Sequence, residues 1–352
     1  MSLGVREMCC RMATDSGSFS RAASNLERAA QLKLSDEKLR QVVEAEGRAV
    51  IIWQEQEQLE LDFEAAACRT TETSDGSSQS RVYAGIDGFM LPMVTDAEKG
   101  KRFEKAQARR RTLRRRRGVR RRPLQRRRGA DQRYKEFKLV KMYDQDQTHQ
   151  YLRVTRRGVE QTGRMIRAMS EAIRLPGAEE VVAVTDGAEW IARLIDDNLP
   201  QGKTTAVLDF YHASEHVHQT RRTVFGEEDE TGRRWAGELI GGLLTESFEG
   251  VWERLLAQRS RVRSPGKRQS LDGLMQYLLK RREKVDYPRF RARGLQIGSG
   301  PTESGCKSES RRLKGAGMRW NAANAEAMVG LEALNQSNLW SAYWKSRLKR
   351  AA

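Results

Sequence analysis

Little in this chain of 352 residues lends itself to stapling by disulfides or zinc. Its four cysteines, Cys9, Cys10, Cys68 and Cys306, form no CxxC pair and no paired Cys/His spacing of the kind a structural zinc site needs. Reduced thiols in a cytosolic protein are the simplest reading. No apolar run approaches the ~18 to 20 residues that a membrane span requires, and the N-terminus lacks a signal-peptide core. Apolar residues, at 38%, are a little scarce. A secreted disulfide scaffold and a membrane-spanning protein are both excluded, which leaves a cytoplasmic chain of about two domains.

Charge is what the chain has in excess. Lysine and arginine number 65 against 47 acids, a net charge of +18. Such a balance points to a polyanionic partner, nucleic acid first. Most of it lies in one stretch, residues 101–133, where 17 basic residues face only Glu104 and Asp131. Arg114, Arg115, Arg116, Arg117, Arg120, Arg121 and Arg122 form its densest part. A stretch this charged cannot pack into a core, so it is solvated, disordered or laid on phosphates. Phosphate contacts there would be indifferent to sequence and would weaken steeply with salt. A basic insertion without a specific role is the alternative.

Residues 1–68 read as a helical domain, with Ser18 and Ser35 as N-caps ahead of apolar residues at three-to-four spacing. Short helices followed by a longer one suit a DNA-binding helix-turn-helix, and a small helical bundle suits them as well. Polar residues 69–80 read as a linker. Strand patterns follow at 81–94, 134–144 and 149–155. Residues 179–186 form a fourth strand between two helical stretches, and a fifth strand opens the segment 204–217, which runs on into a helix. The expected fold class is α/β, a mixed sheet with flanking helices over 81–217, carrying the Arg-rich insertion 101–133. Residues 218–295 lose strand character and read as a helical insertion after the fifth strand. The last block, 296–352, is helical and basic.

Phosphodiester chemistry on DNA calls for two divalent ions held by carboxylates from separate elements. Asp87 lies within an otherwise apolar first strand, where an unpaired acid is costly to bury. Asp186 ends the fourth strand. Both stand where a strand yields to a turn, the place where open α/β sheets put ligand chemistry. Glu303 follows the Gly-rich turn GSGPTESG and precedes a cationic helix carrying Lys307, Arg311, Arg312 and Lys314, which would hold a strand beside the metals. Glu309, six residues beyond Glu303, points elsewhere. Trp320 reads as a packing anchor, and His216 and His218 as surface helix residues.

The blocks GIDG, VTDGAEWI, LDFYHASEH and IGSGPTESGCK...RLKGAGMRW, with REMCCRM and SFSRAASNL near the N-terminus, resemble the DDE transposases of the ISKra type of bacterial insertion sequence, related to the Mutator-like group. The resemblance covers most of residues 5–345, and its last block is the most specific. It implies an RNase H-like catalytic domain in which Asp87, Asp186 and Glu303 hold two Mg²⁺ (or Mn²⁺). The helical insertion would account for the 117 residues between Asp186 and Glu303. Asp209 and His212 match the family's motif of Cys or Asp three residues before His. Asp209 rivals Asp186 as second acid, but a fifth strand beyond the fourth would set it about 5 Å further from Asp87, so the pair reads as supporting.

Carried to function, the resemblance implies binding of double-stranded DNA at the element's terminal inverted repeats, end cleavage and strand transfer to target DNA by a homo-oligomer near the bacterial nucleoid. Family members also carry an upstream cysteine-containing segment, expected to lie ahead of Met1. Two other readings stand beside this one: a non-catalytic DNA-binding remnant or repressor, and an RNase H-like nuclease or resolvase.

Overall fold

The computed structural model describes residues 1–56, 61–70, 78–117 and 123–351. Three helices open the chain: α1 (Leu3–Asp15), α2 (Phe19–Ala30) and α3 (Asp36–Gln56). Ser18 caps α2 by accepting from the Arg21 amide, and Ser35 accepts from the Lys38 amide at the start of α3, as their positions in the sequence anticipate. The sheet begins with β1 (Arg81–Pro92). Then come α4 (Asp96–Arg117), β2 (Tyr134–Tyr143), β3 (Gln150–Thr155), α5 (Val159–Ala172), β4 (Glu180–Thr185), α6 (Glu189–Asn198) and β5 (Thr204–Leu208). Helices complete the chain: α7 (Phe210–Phe225), α8 (Glu230–Thr245), α9 (Phe248–Arg261), α10 (Pro265–Leu279), α11 (Tyr287–Ala292), α12 (Gly300–Arg311), α13 (Ala322–Gln336) and α14 (Trp340–Ala351).

The five strands form one mixed sheet in the order β3-β2-β1-β4-β5. The β1–β2 and β2–β3 pairs are antiparallel, and β1–β4 and β4–β5 are parallel. Residue parity divides the two central strands between separate apolar clusters. Val82, Ala84, Val181 and Ala183 belong to one, and Tyr83, Val182 and Val184 to the other, which α7 to α11 complete. On the second side of β1, beyond Tyr83, α12 crosses at Gly85. A Cβ there would stand 1.7 Å from Thr302 Oγ1, so only glycine admits the helix this close.

Two sequence expectations change here. Residues 1–68 do not form a separately packed unit, because one hydrophobic cluster runs from Cys9 through the sheet to Trp344. The long helix α3 lies along α13, where a Cβ on Gly47 would meet the Ala327 carbonyl oxygen at 2.1 Å. Buried Glu46 of α3 accepts from Arg6 of α1 and from Tyr343 and Arg347 of α14, so three helices share one polar tie. The middle of α3 is thereby engaged in packing. Likewise 69–80 is no simple linker. Its described ends bridge at Arg69 and Ser80, and residues 71–77 lie outside the described residues.

The Arg-rich stretch is helical through Arg117. Thr95 and Glu98 cap α4 reciprocally, Thr95 Oγ1 accepting from the Glu98 amide and Glu98 Oε2 from the Thr95 amide. Arginine, lysine, glutamine and alanine then sustain the helix. Arg114, Arg115 and Arg116 are exposed on it. Arg120, Arg121 and Arg122 lie outside the described residues, as does the side chain of Arg117.

Candidate active site

The parallel register carries Asp87 and Asp186 toward each other. The last β1–β4 pair is Ala84 with Ala183; Asp87 lies three residues further along β1 and Asp186 three residues beyond Ala183, just past the end of β4, near enough for its charge to act on Asp87. Asp87 accepts from the Gly88 amide at 2.6 Å, and Asp186 from the Ala188 amide at 2.9 Å. Asp186 is thereby fixed by its own turn, whereas Asp87, expected where a strand yields to a turn, lies inside β1 opposite Leu139.

Burial pushes the Asp87 carboxyl above its ordinary value. The Gly88 amide and the Cys306 thiol oppose that, and the charges of Asp186 and Glu303 add to it. Three carboxylates from β1, the end of β4 and α12 thus share one field, a repulsion that a divalent cation would relieve. The donors are all hard carboxylate oxygens, which fits Mg²⁺ or Mn²⁺.

Glu303 sits in the first turn of α12, exposed and positioned from below. Ser299 does not cap the helix with its side chain; its Oγ donates instead to Glu303 Oε1 at 2.9 Å. The Ser299 amide in turn donates to Asp209 Oδ2. Asp209 Oδ1 accepts from the His212 amide at 2.7 Å, capping α7. Fully buried Asp209 therefore ties the end of β5 to the turn that launches Glu303. Burial alone would raise its carboxyl; the bonds from His212 and Ser299 outweigh that and hold its pKa down to about 2.

Among the described residues, the three potential metal ligands that gather within 4.8 Å of one another are Asp209, His212 and Glu303, not Asp87, Asp186 and Glu303. His212 Nδ1 lies 3.8 Å from Asp209 Oδ1, and that carboxylate raises the imidazole pKa. Both oxygens of Asp209 already accept backbone amides, so as a metal ligand it is less well suited than Asp186. β5 does lie beyond β4, one strand further from β1.

A scan against protein-family models finds no match. A search of curated proteins finds none either.

Other placements agree with the sequence reading in part. Lys307, Arg311 and Lys314 are exposed, as a strand-holding role needs, but Arg312 is buried and lies nine residues, half a turn out of phase, from Glu303. Glu309 is fully buried, away from the acids, and Trp320 packs edge-on against Phe19. His216 is not a plain surface residue, since its ring stacks on Tyr277 at 3.9 Å. Sequence reasoning passed over Ser299, Cys306 and Arg281. Arg281 Nη2 and Nε donate to the Gly187 carbonyl at 2.7 and 3.2 Å and so hold the turn that carries Asp186. Ser299 and Cys306 lie in the motif that contains Glu303, the one signal that marked them. Arg281 sits 94 residues from its partner, and no local pattern announces it.

Proposed function

We propose that this chain is a DDE transposase of the ISKra insertion-sequence type, which cuts DNA ends and joins the freed 3′ hydroxyl to target DNA. The observation that carries the proposal is the placement of Asp87 within β1 and Asp186 just past the end of the adjacent parallel β4, with Glu303 entering on a late helix and the charges of both acting on Asp87. The strand order β3-β2-β1-β4-β5, three antiparallel strands followed by two parallel ones, supports an RNase H-like reading of the sheet.

Asp87, Asp186 and Glu303 would hold two Mg²⁺ ions, which when bound activate the attacking oxygen and stabilise the leaving one. The chain's other residues orient these three. Arg281 fixes the Asp186 turn, the Cys306 thiol bonds Asp87, and the Asp209–Ser299 link sets the Glu303 side chain. Lys307 and Arg311, four and eight residues beyond Glu303, extend one exposed helix face along which a scissile strand would run. Exposed arginines of α4 add sequence-independent phosphate contacts. Water and then the 3′ hydroxyl serve as nucleophiles, so no covalent enzyme intermediate forms. Cutting both ends together calls for a homo-oligomer on DNA.

The test is a strand-transfer assay with Mg²⁺ and DNA bearing the element's ends. Activity is expected in the wild type and absent in Asp186→Asn; equal activity in the two would sink the assignment. Cleavage without a joined product would replace it with a nuclease or resolvase.

A further inference from the structure

Arg312 is an arginine in an unusual situation. It is 8% exposed, yet its hydrogen bonds go to the Ala13 carbonyl at 3.0 Å and the Met318 sulfur, and among the described residues none goes to a carboxylate. Its Nη2 is buried without a partner. The guanidinium lies over Phe19 and Trp320, 4.9 and 5.7 Å from the ring centroids. A buried charge in this state is costly unless a counterion arrives from outside.

Arg312 forms part of the wall of a cavity of about 530 Å³, together with Arg40, Glu44, Arg102, Arg319 and Trp320. Four arginines face one carboxylate there, and both oxygens of Glu44 already accept from Arg40 Nη1 at 2.8 Å. Arg319 pairs with Glu98 of α4. Arg102 makes no ion pair among the described residues. Two helix N-termini also reach this cavity: Ser18 and Phe19 of α2, and Asn321 and Asn324 of α13. The Asn321 side chain makes no capping hydrogen bond, so α13 keeps donors for an anion.

The geometry points to an oxyanion site in this cavity that takes a phosphate group, with Arg312 as its buried anchor and Arg102 and the α13 N-terminus as its rim. It lies roughly 14 Å along α12 from Glu303, on the opposite side of the helix. It is therefore separate from the acid cluster and does not depend on the transposase reading. A buried guanidinium with a free N–H, aromatic walls and a helix N-terminus together match the charge and the several acceptor oxygens of a phosphate. The phosphate would belong to a nucleic-acid strand or be free in solution.

Titration calorimetry of the full chain with inorganic phosphate, at ionic strength matched with chloride, tests the site. Fluorescence anisotropy with a labelled DNA duplex separates the two sources. Asn321→Asp is the informative variant, because aspartate is as good an N-cap as asparagine yet sets a negative charge at the rim. It should keep the melting temperature and weaken binding roughly ten-fold or more. Arg312→Met should abolish binding; if it does not fold, Asn321→Asp and Arg102→Gln still decide. Phosphate binding weakened by Asn321→Asp with duplex affinity unchanged assigns the site to free phosphate, and weakened duplex binding assigns it to a strand. The proposal is overturned if neither probe distinguishes Asn321→Asp from wild type. A chain that passes this test but transfers no strand would keep the phosphate site and lose the transposase reading.

Discussion

Glu303 and Arg312 stand nine residues apart on and just beyond one helix and face opposite ways in every sense. Glu303 is exposed among other carboxylates, whereas Arg312 is buried without any. Glu303 gathers with Asp209 and His212 and accepts from Ser299, while Arg312 bonds only to a backbone carbonyl and a thioether among the described residues. On the acid side, the charges of Asp186 and Glu303 both act on Asp87. At Arg312 two helix N-termini and three further arginines gather around a cavity that holds one carboxylate, Glu44. Buried Glu46, by contrast, is closed internally by Arg6, Tyr343 and Arg347.

That contrast can be broken at several points. The largest effect is expected at the acids: Asp87→Asn, Asp186→Asn or Glu303→Gln should each lower strand transfer by about a thousand-fold or more while leaving the circular dichroism spectrum intact. Gly85→Ala comes next. It drives a methyl group into Thr302, should cost about 1–3 kcal/mol in urea denaturation, and should lower activity by moving α12 away from β1.

Asp209→Asn separates support from catalysis. An amide can accept only through its one oxygen, so one of the amides of His212 and Ser299 loses its acceptor, at about 1–3 kcal/mol. The wild-type contribution has a defined pH window. The folded pKa is about 2 and the unfolded value near 4, so the stability it supplies is full above about pH 4 and is lost as pH falls toward 2. Acid titration of the melting temperature in both proteins checks this, the variant showing the shallower decline.

Glu309→Gln sharpens the contrast from the opposite sign. Burial pushes the Glu309 carboxyl well up, so folding favours its protonated form. Its stability contribution is full below the unfolded pKa and falls as pH rises through the folded one. Glutamine still accepts from Gln336, so the change at neutral pH should be under about 1.5 kcal/mol by urea denaturation, with a flatter stability profile at higher pH. Smallest of all, replacing Arg114, Arg115 and Arg116 with Gln should reduce the logarithmic salt slope of DNA binding by about 0.9 for each phosphate no longer neutralised.

Much of this architecture is legible in one dimension because it is periodic or local. The alternation around Tyr83 and Val182 marks buried strands, the serines before α2 and α3 mark helix starts, and GSGPTESG marks a tight entry into α12. The capping pair Thr95 and Glu98 is equally local, yet the density of arginine around it obscures the helix.

Residue order by itself determined the strand and helix types, the concentration of positive charge in one segment, and the presence of one acid within the first strand and another just after the fourth. These follow from propensity, period and the cost of burying charge, which act over a few residues. Tertiary structure alone decided that α3 lies along α13, that Asp209 ties the Glu303 turn in place, and that Arg312 turns away from the acids into an arginine-lined cavity. Each of these depends on partners far apart in the chain, joined by close packing or by a buried hydrogen bond, and no short-range pattern encodes such a meeting.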